Sequence, residues 1–363
     1  MGAIALGPTI VPTTGDGQHL WFGSTGHRAV GPPAGRFGVG LTEWRGDPTS
    51  ELRPMTRRGV LLFGAMAVIW GIPYLFIRVA VDEVSPAFLV FGRTAVGAAV
   101  LLPVALLRSD WRPVVARWRW VVAFAVVEIA VPWVLLGWAE QHITSSLAGL
   151  LVAGVPLVAT VTALLTGGRD RIGGSGLLGL LVGILGVAAI VGVNLGTSND
   201  AALAAMAVVV CGYAIGPAIM SRRLGGLSTV AVMGICLALC AIVYAPVALL
   251  LQRPATMPSA NAISAIVILG LVCTAAAFLL FWKLIDEVGP VRSTVVTYLN
   301  PAVAAILGVT VLAETFTPAM GLGFVLVIAG SVLATRPADG RWSLRGLLPR
   351  REFAVEEVEA EAR

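Results

Sequence analysis

Apolar runs about as long as one membrane crossing recur along the chain from Val60 onward, with short polar breaks between them. A bilayer core needs roughly 20 apolar residues of α-helix to cross it. The pattern predicts helices at about 59–81, 86–107, 119–138, 145–166 and 174–194. After a polar break, Gly196-Thr197-Ser198-Asn199-Asp200, it predicts further helices at about 201–221, 227–251, 262–283, 291–313 and 317–335. The expected fold is an all-α integral membrane protein with ten transmembrane helices. Residues 1–54 are rich in Gly, Pro and Thr without apolar period, and are expected to form a disordered N-terminal extension. Met55 opens Thr56-Arg57-Arg58 and the first apolar run, so Met1 and Met55 both stand as candidate translation starts. Residues 337–363, basic up to Arg351 and then acidic, read as a cytoplasmic tail.

The apolar runs repeat. Ser146–Gly167 and Ser293–Glu314 are each a long apolar stretch with a central proline, Pro156 and Pro301, about 145 positions apart. Ala65-Met66-Ala67-Val68 is echoed by Ala205-Met206-Ala207-Val208, and the pair Gly179 and Gly186 by Gly323 and Gly330. The break near 194–200 falls between the copies, which gives five-helix repeats at 59–194 and 201–336. Arginines then fix the orientation, because cytoplasmic loops carry the excess of cations. Arg57, Arg58, Arg108, Arg112, Arg117, Arg119, Arg169, Arg171, Arg222, Arg223, Lys283 and Arg292 fall on one side. Arg253, and Arg78 at a helix end, fall on the other. Both termini are expected in the cytoplasm. An odd number of spans per repeat turns the second copy upside down, a recurring transporter design with the site at the repeat interface.

Composition sharpens the class. The chain is 57% hydrophobic and 12% charged, with mean hydropathy +0.89. Soluble domains carry about 25% charged residues. The net charge of +5 rests on arginines scattered among loops, which suits a membrane surface and argues against nucleic acid. Cys211, Cys236, Cys240 and Cys273 lie in apolar runs, and His19, His27 and His142 are dispersed, so neither a metal site nor a cofactor is expected.

Ionisable groups at membrane depth are the first functional candidates. Arg93 is roughly 10 Å and Glu128 roughly 15 Å in from the outer helix ends. Two readings stay open: a structural Arg93–Glu128 ion pair, or an unpaired Glu128 that exchanges a proton for substrate. Trp70, Tyr74, Tyr213 and Tyr298 are deep aromatics whose polar tips need partners. Pro156 and Pro301, with Asn300 beside the latter, are places where freed backbone groups can line a cavity. Glu140, His142, Ser145 and Ser146 are the nearest thing to an enzyme-like cluster, and they read as a solvated loop.

The residues Trp70-Gly71, Arg93, the run Ser145-Ser146-Leu147-Ala148-Gly149-Leu150-Leu151 leading to Pro156, and Tyr298-Leu299-Asn300-Pro301 leading to Glu314 resemble the EamA-type branch of the drug/metabolite transporter superfamily. The resemblance covers about 60–336. It implies ten helices in two inverted repeats and export of amino acids, small metabolites or drug-like compounds across the inner membrane by alternating access. The expected partners are a small-molecule substrate, the lipid bilayer and, on the reading of an unpaired Glu128, protons. Uptake or facilitated diffusion by the same fold is the alternative. A membrane-embedded lipid-modifying enzyme or a helical scaffold is the rival class. The chain departs from the family in one place. An acidic residue usually ends both proline helices, yet the first copy reads Thr166-Gly167-Gly168-Arg169, so the acid at Glu314 is not duplicated.

Overall fold

The computed structural model describes residues 56–165, 174–194, 199–288, 293 and 295–334. The expected extension at 1–54, Thr166–Arg169, most of the inter-repeat break and the tail at 337–363 lie outside the described residues.

Eight helices among the described residues are long and apolar enough to cross a membrane. They are α1 (Arg57–Val81), α2 (Pro86–Arg108), α3 (Trp118–Glu140), α4 (Ser145–Leu165), α5 (Ser175–Gly192), α6 (Asp200–Arg223), α7 (Thr229–Leu251) and α8 (Ala260–Val288). Two shorter apolar helices follow, α9 (Val295–Val311) and α10 (Pro318–Ala334). The polar breaks supply the starts. Thr56, Ser85, Thr144, Asn199, Ser228 and Ser259 each accept a first-turn amide with the side chain, which satisfies a donor the helix cannot satisfy itself.

The prolines do not sit in mid-helix as the sequence suggested. α4 is broken between Val152 and Val155, and α9 between Tyr298 and Asn300. Pro156 and Pro301 are each the second residue of the piece that follows. There the missing N–H has no intrahelical partner to lose, and the fixed φ suits a helix start. α1 is interrupted in the same way at Ile72, ahead of Pro73. Among the described residues three stretches are π-helical: Ala125–Ala130 in α3, Val247–Leu251 at the end of α7 and Leu271–Ala276 in α8.

The halves pack reciprocally. α2 lies on α7, α4 on α9, and α5 on α10. α1 packs on α8 as α3 packs on α6, α1 on α9 as α4 on α6, and α2 on α8 as α3 on α7. The α5–α10 contact is backbone on backbone: a Cβ at Gly330 would lie 2.3 Å from the Gly183 nitrogen, and one at Gly186 2.7 Å from the Gly323 oxygen. Small residues permit such approach between membrane helices. Leu181 and Leu185 on α5, and Leu322 and Val325 on α10, point outward, where lipid tails take the place of a core.

The two ends of the bundle differ chemically. One gathers the turns 82–85, 141–144, 252–259 and 312–317, tied by Glu83 to Ser259, Ser85 to Gln252 and Glu314 to Ser145. We call it the carboxylate end. The other is the arginine end, where Arg117 Nη1 donates to the carbonyls of Arg223 (3.0 Å) and Gly225 (3.3 Å). There Arg223 also lies over the Trp120 ring at 4.5 Å.

Candidate functional site

Ser85 caps α2 and Pro86 opens it, which sets Arg93 about two turns, or ~10 Å, below the carboxylate end. Arg93 is 8% exposed. Its Nε donates to Thr274 Oγ1 at 3.1 Å, and Thr274 in turn donates to the Leu269 carbonyl at 2.8 Å. That five-residue back-bond belongs to the π-helical stretch, whose widened turn presents Thr274 to α2. The guanidinium carbon sits 3.6 Å from the centroid of the Trp133 ring, a close cation–π contact. Among the described residues no acceptor holds the two terminal nitrogens of the fork. Tyr74, Tyr213, Cys273 and Glu140 lie within electrostatic reach of the same charge.

Of the two open readings, the Arg93–Glu128 ion pair is not formed. The ion pair found among the described residues is Arg78 with Asp82, at 3.5 Å. Glu128 turns instead onto α6: a Cβ on Gly216 would fall 1.9 Å from Glu128 Oε2. That oxygen is shielded from solvent and has no hydrogen-bond partner. Pro217 follows, and its missing N–H leaves a carbonyl of α6 without its helical donor. Glu128 and Thr274 each hold the fourth position of a six-residue π-stretch, in α3 and α8 respectively. One half thus presents a hydroxyl that holds Arg93, and the other presents a carboxylate whose Oε2 no donor among the described residues engages.

The loop after α3 also differs from expectation. Glu140, Ser145 and Ser146 are fully buried, not solvated. Arg78 Nη1 donates to the Glu140 carbonyl, and Gln141 Nε2 donates to the Val81 carbonyl at 3.0 Å, so α1 covers the turn from one side. From the other side comes Glu314. Its Oε1 accepts the Ser145 amide at 2.7 Å, and its Oε2 accepts the Ser146 amide at 2.9 Å and hydroxyl at 2.6 Å. A carboxylate over the first amides of α4 meets both the unsatisfied donors and the positive end of the helix dipole. Ala313, at φ 54°, makes the reversal that sends Glu314 back, and Glu314 N closes it onto the Gly308 carbonyl at 3.0 Å. Both oxygens of Glu140 remain without a hydrogen bond, as does Ser145 Oγ.

The other sequence candidates divide. Tyr74 and Tyr213 join the Arg93 group, and Tyr213 packs in one cluster with Trp133. Trp70 packs on Phe281 at 4.7 Å and Phe278 at 6.4 Å between ring centroids. The Asn300 amide, oriented by its neighbours, donates to the carbonyls of Val296 (2.9 Å) and Ala67 (3.3 Å), which ties the break in α9 to α1. Tyr298 ends the 3₁₀ turn just before it, and Pro301 is buried just after. Pro156 lies in α4, its carbonyl accepting Thr160 Oγ1 at 2.8 Å. Sequence reasoning missed Thr274 and Trp133, and named Glu140 only as part of a solvated loop. Thr274 was one polar residue inside an apolar run, and its pairing with Arg93, 181 positions away, carries no local signal.

Glu83, in the turn between α1 and α2, faces Ser259. It accepts the Ser259 hydroxyl at 2.5 Å and amide at 2.7 Å. The hydroxyl first and the amide second hold its carboxyl below the usual range, against a small opposing desolvation.

The profile of the EamA-like transporter family matches the chain twice, over residues 57–192 and 200–336. The chain is similar to the "Uncharacterized inner membrane transporter YedA" of Escherichia coli (strain K12), at 25% identity over 285 residues covering 76% of this chain and 90% of the relative. It is also similar to the "Probable terminal-alkyne amino-acid exporter" of Streptantibioticus cattleyicolor, at 28% identity over 284 residues covering 76% and 92%. A crystal structure at 23% identity covers 76% of this chain and 96% of that one with a TM-score of 0.54, which shows a shared fold. With both halves matched and the long apolar helices in place, the chain belongs to the EamA-like transporter family and is a multi-pass membrane transporter.

Proposed function

We propose that the protein exports small zwitterionic or amphipathic compounds, such as amino acids, metabolites or drug-like molecules, by alternating access coupled to protons. The observation that carries this reading is Arg93: buried, stacked on Trp133, and engaged through one nitrogen only. A guanidinium fork with free donors suits a carboxylate or another planar acceptor. Tyr74, Tyr213 and Trp133 around it suit the apolar part of a substrate. The exporter name of the Streptantibioticus relative agrees with such a ligand.

Glu128 is the coupling acid in this reading. Its shielded, unbonded oxygen favours a proton-carrying role over the structural pair. All ten apolar helices span, and the halves form inverted repeats, a reading that the reciprocal packing supports. The arginine end faces the cytoplasm with both termini, as the cation bias supports. Trp70, Tyr298, Asn300, Pro156 and Pro301 line or hinge the pathway around this centre.

The test is uptake of labelled amino acids and hydrophobic cations by everted membrane vesicles, with and without a proton gradient. The reading expects accumulation that needs the gradient and is lost in Glu128→Gln. Full gradient-driven accumulation by Glu128→Gln would rule out the coupling role, and equilibration without a gradient would support facilitated diffusion instead.

A further inference from the structure

We propose that Glu140 is a proton-binding site whose occupancy controls the contact between Glu314 and the start of α4. Glu140 is fully buried, and neither carboxylate oxygen has a hydrogen bond. The neighbouring hydroxyl of Ser145 is equally buried and unbonded. The charged and titratable groups that face Glu140 are Arg78 and Tyr74 from α1, Arg93 from α2, Tyr213 from α6 and Glu314 from beyond α9. Arg78 pairs with Asp82 and hydrogen-bonds Glu140 only at the main chain. His142, in the same turn, bonds through Nδ1 to the Trp138 carbonyl at 2.9 Å.

The two carboxylates are therefore unequal. Glu314 collects three donors. Glu140 collects none, and an ion in that position bears an uncompensated desolvation cost. One proton on Glu140 removes that cost. It also removes the repulsion between two like charges in a low-dielectric site. When the proton leaves, a second negative charge appears beside Glu314 and repels it, against the hold of the Ser145 and Ser146 amides. The α4–α9 contact at the carboxylate end then loosens. Proton uptake closes this end and proton release opens it. This site is separate from Glu128. The opening step rests on the alternating-access reading, whereas the proton site does not.

Two measurements on the purified full chain in lipid nanodiscs test the two parts. Infrared spectroscopy reads the C=O stretch of protonated carboxyl groups. We expect part of that band to vanish in Glu140→Gln and to persist in Glu314→Gln. An unchanged band in Glu140→Gln overturns the proton site. Spin labels at His142 and Thr315 read the distance across the contact. We expect the longer distance to gain population as pH rises in the otherwise wild-type chain, and to stay rare at every pH in Glu140→Gln. A distance in Glu140→Gln that still responds to pH overturns the control of the contact even if the band has gone. Should Glu140→Gln fail to fold, Glu314→Gln replaces it: the pH response must disappear there too, and its survival overturns the proposal.

Discussion

Glu314 and Ser146, 168 positions apart, are joined twice: one carboxylate oxygen accepts both the amide (2.9 Å) and the hydroxyl (2.6 Å) of Ser146. The contact crosses from the second half of the chain to the start of α4, where Thr144 accepts only the Leu147 amide. Two further contacts share the logic. Glu83 of the first half covers Ser259, the cap of α8. At the arginine end, the α1 cap Thr56 donates to Glu287 of α8. In each case a carboxylate of one half sits at a helix start of the other.

Replacing Glu314 by alanine strips three donors at the start of α4 of their acceptor. Unsatisfied buried donors cost about 1–3 kcal/mol each in the worst case, and partial access to water reduces the sum. We expect Glu314→Ala to lower stability by roughly 2–4 kcal/mol, seen as a fall in melting temperature in detergent. Gly308→Ala should act through the same contact, because its Cβ would lie 2.1 Å from Ser146 Oγ and 2.3 Å from Glu314 Oε2. The double variant should then lose clearly less than the two single losses added. Additive losses would show that the two residues act separately.

How much of this could be read in advance depended on range. Helix starts and ends were legible because they are local. Ser85, Thr144 and Ser228 mark their helices by residue type, and the apolar runs fix the rest within a few residues. Glu314 was visible as an unduplicated acid, but its use was not, since that depends on which helix start lies opposite. Arg93 was legible as a deep charge. Its partner was left open because depth along a helix says nothing of rotation, and rotation sends Glu128 to Gly216 and Arg93 to Thr274 and Trp133. The burial of Glu140 was unreadable for a related reason. A polar turn becomes interior only when Arg78 and Glu314 close over it.

Ala313 holds φ 54°, a left-handed conformation that disfavours any side chain with a Cβ. Ala313→Gly should relieve this and raise stability by about 0.5–1 kcal/mol. A higher melting temperature with unchanged transport is the expected pair of results. A lower one would mean that the alanine side chain makes a contact worth more than the strain.

Arg93→Lys keeps the charge but cannot at once donate through a fixed Nε to Thr274 and lie flat on Trp133. We expect transport to fall about tenfold or more, equivalent to ~1.4 kcal/mol or more. Thr274→Val, which removes the acceptor and leaves Arg93 in place, should weaken transport less. Transport by Arg93→Lys at the wild-type rate would remove Arg93 from the site.

Glu83 gives a pH signature outside the membrane spans. Its carboxyl is held low by the hydroxyl and then the amide of Ser259. A group with a depressed folded-state pKa contributes stability above its unfolded pKa, and that contribution is lost as pH falls through the folded value. The chain should therefore melt earlier in mild acid, and Glu83→Gln should flatten that part of the dependence while lowering stability at neutral pH. The check is a melting series from neutral to acid pH on both proteins. Parallel curves would show that Glu83 adds nothing there.

The Glu314–Ser146 contact also sets an order of events during synthesis. At roughly 5–20 residues per second, Glu314 leaves the ribosome about 10–30 s after Ser146. For that interval the start of α4 sits in the young bundle with its amides exposed to whatever water or lipid headgroup is at hand. The first five helices are therefore an unfinished product until the ninth arrives. A ribosome that stalls between the halves would leave a chain with an open seam, and such a chain is a natural target for membrane quality control.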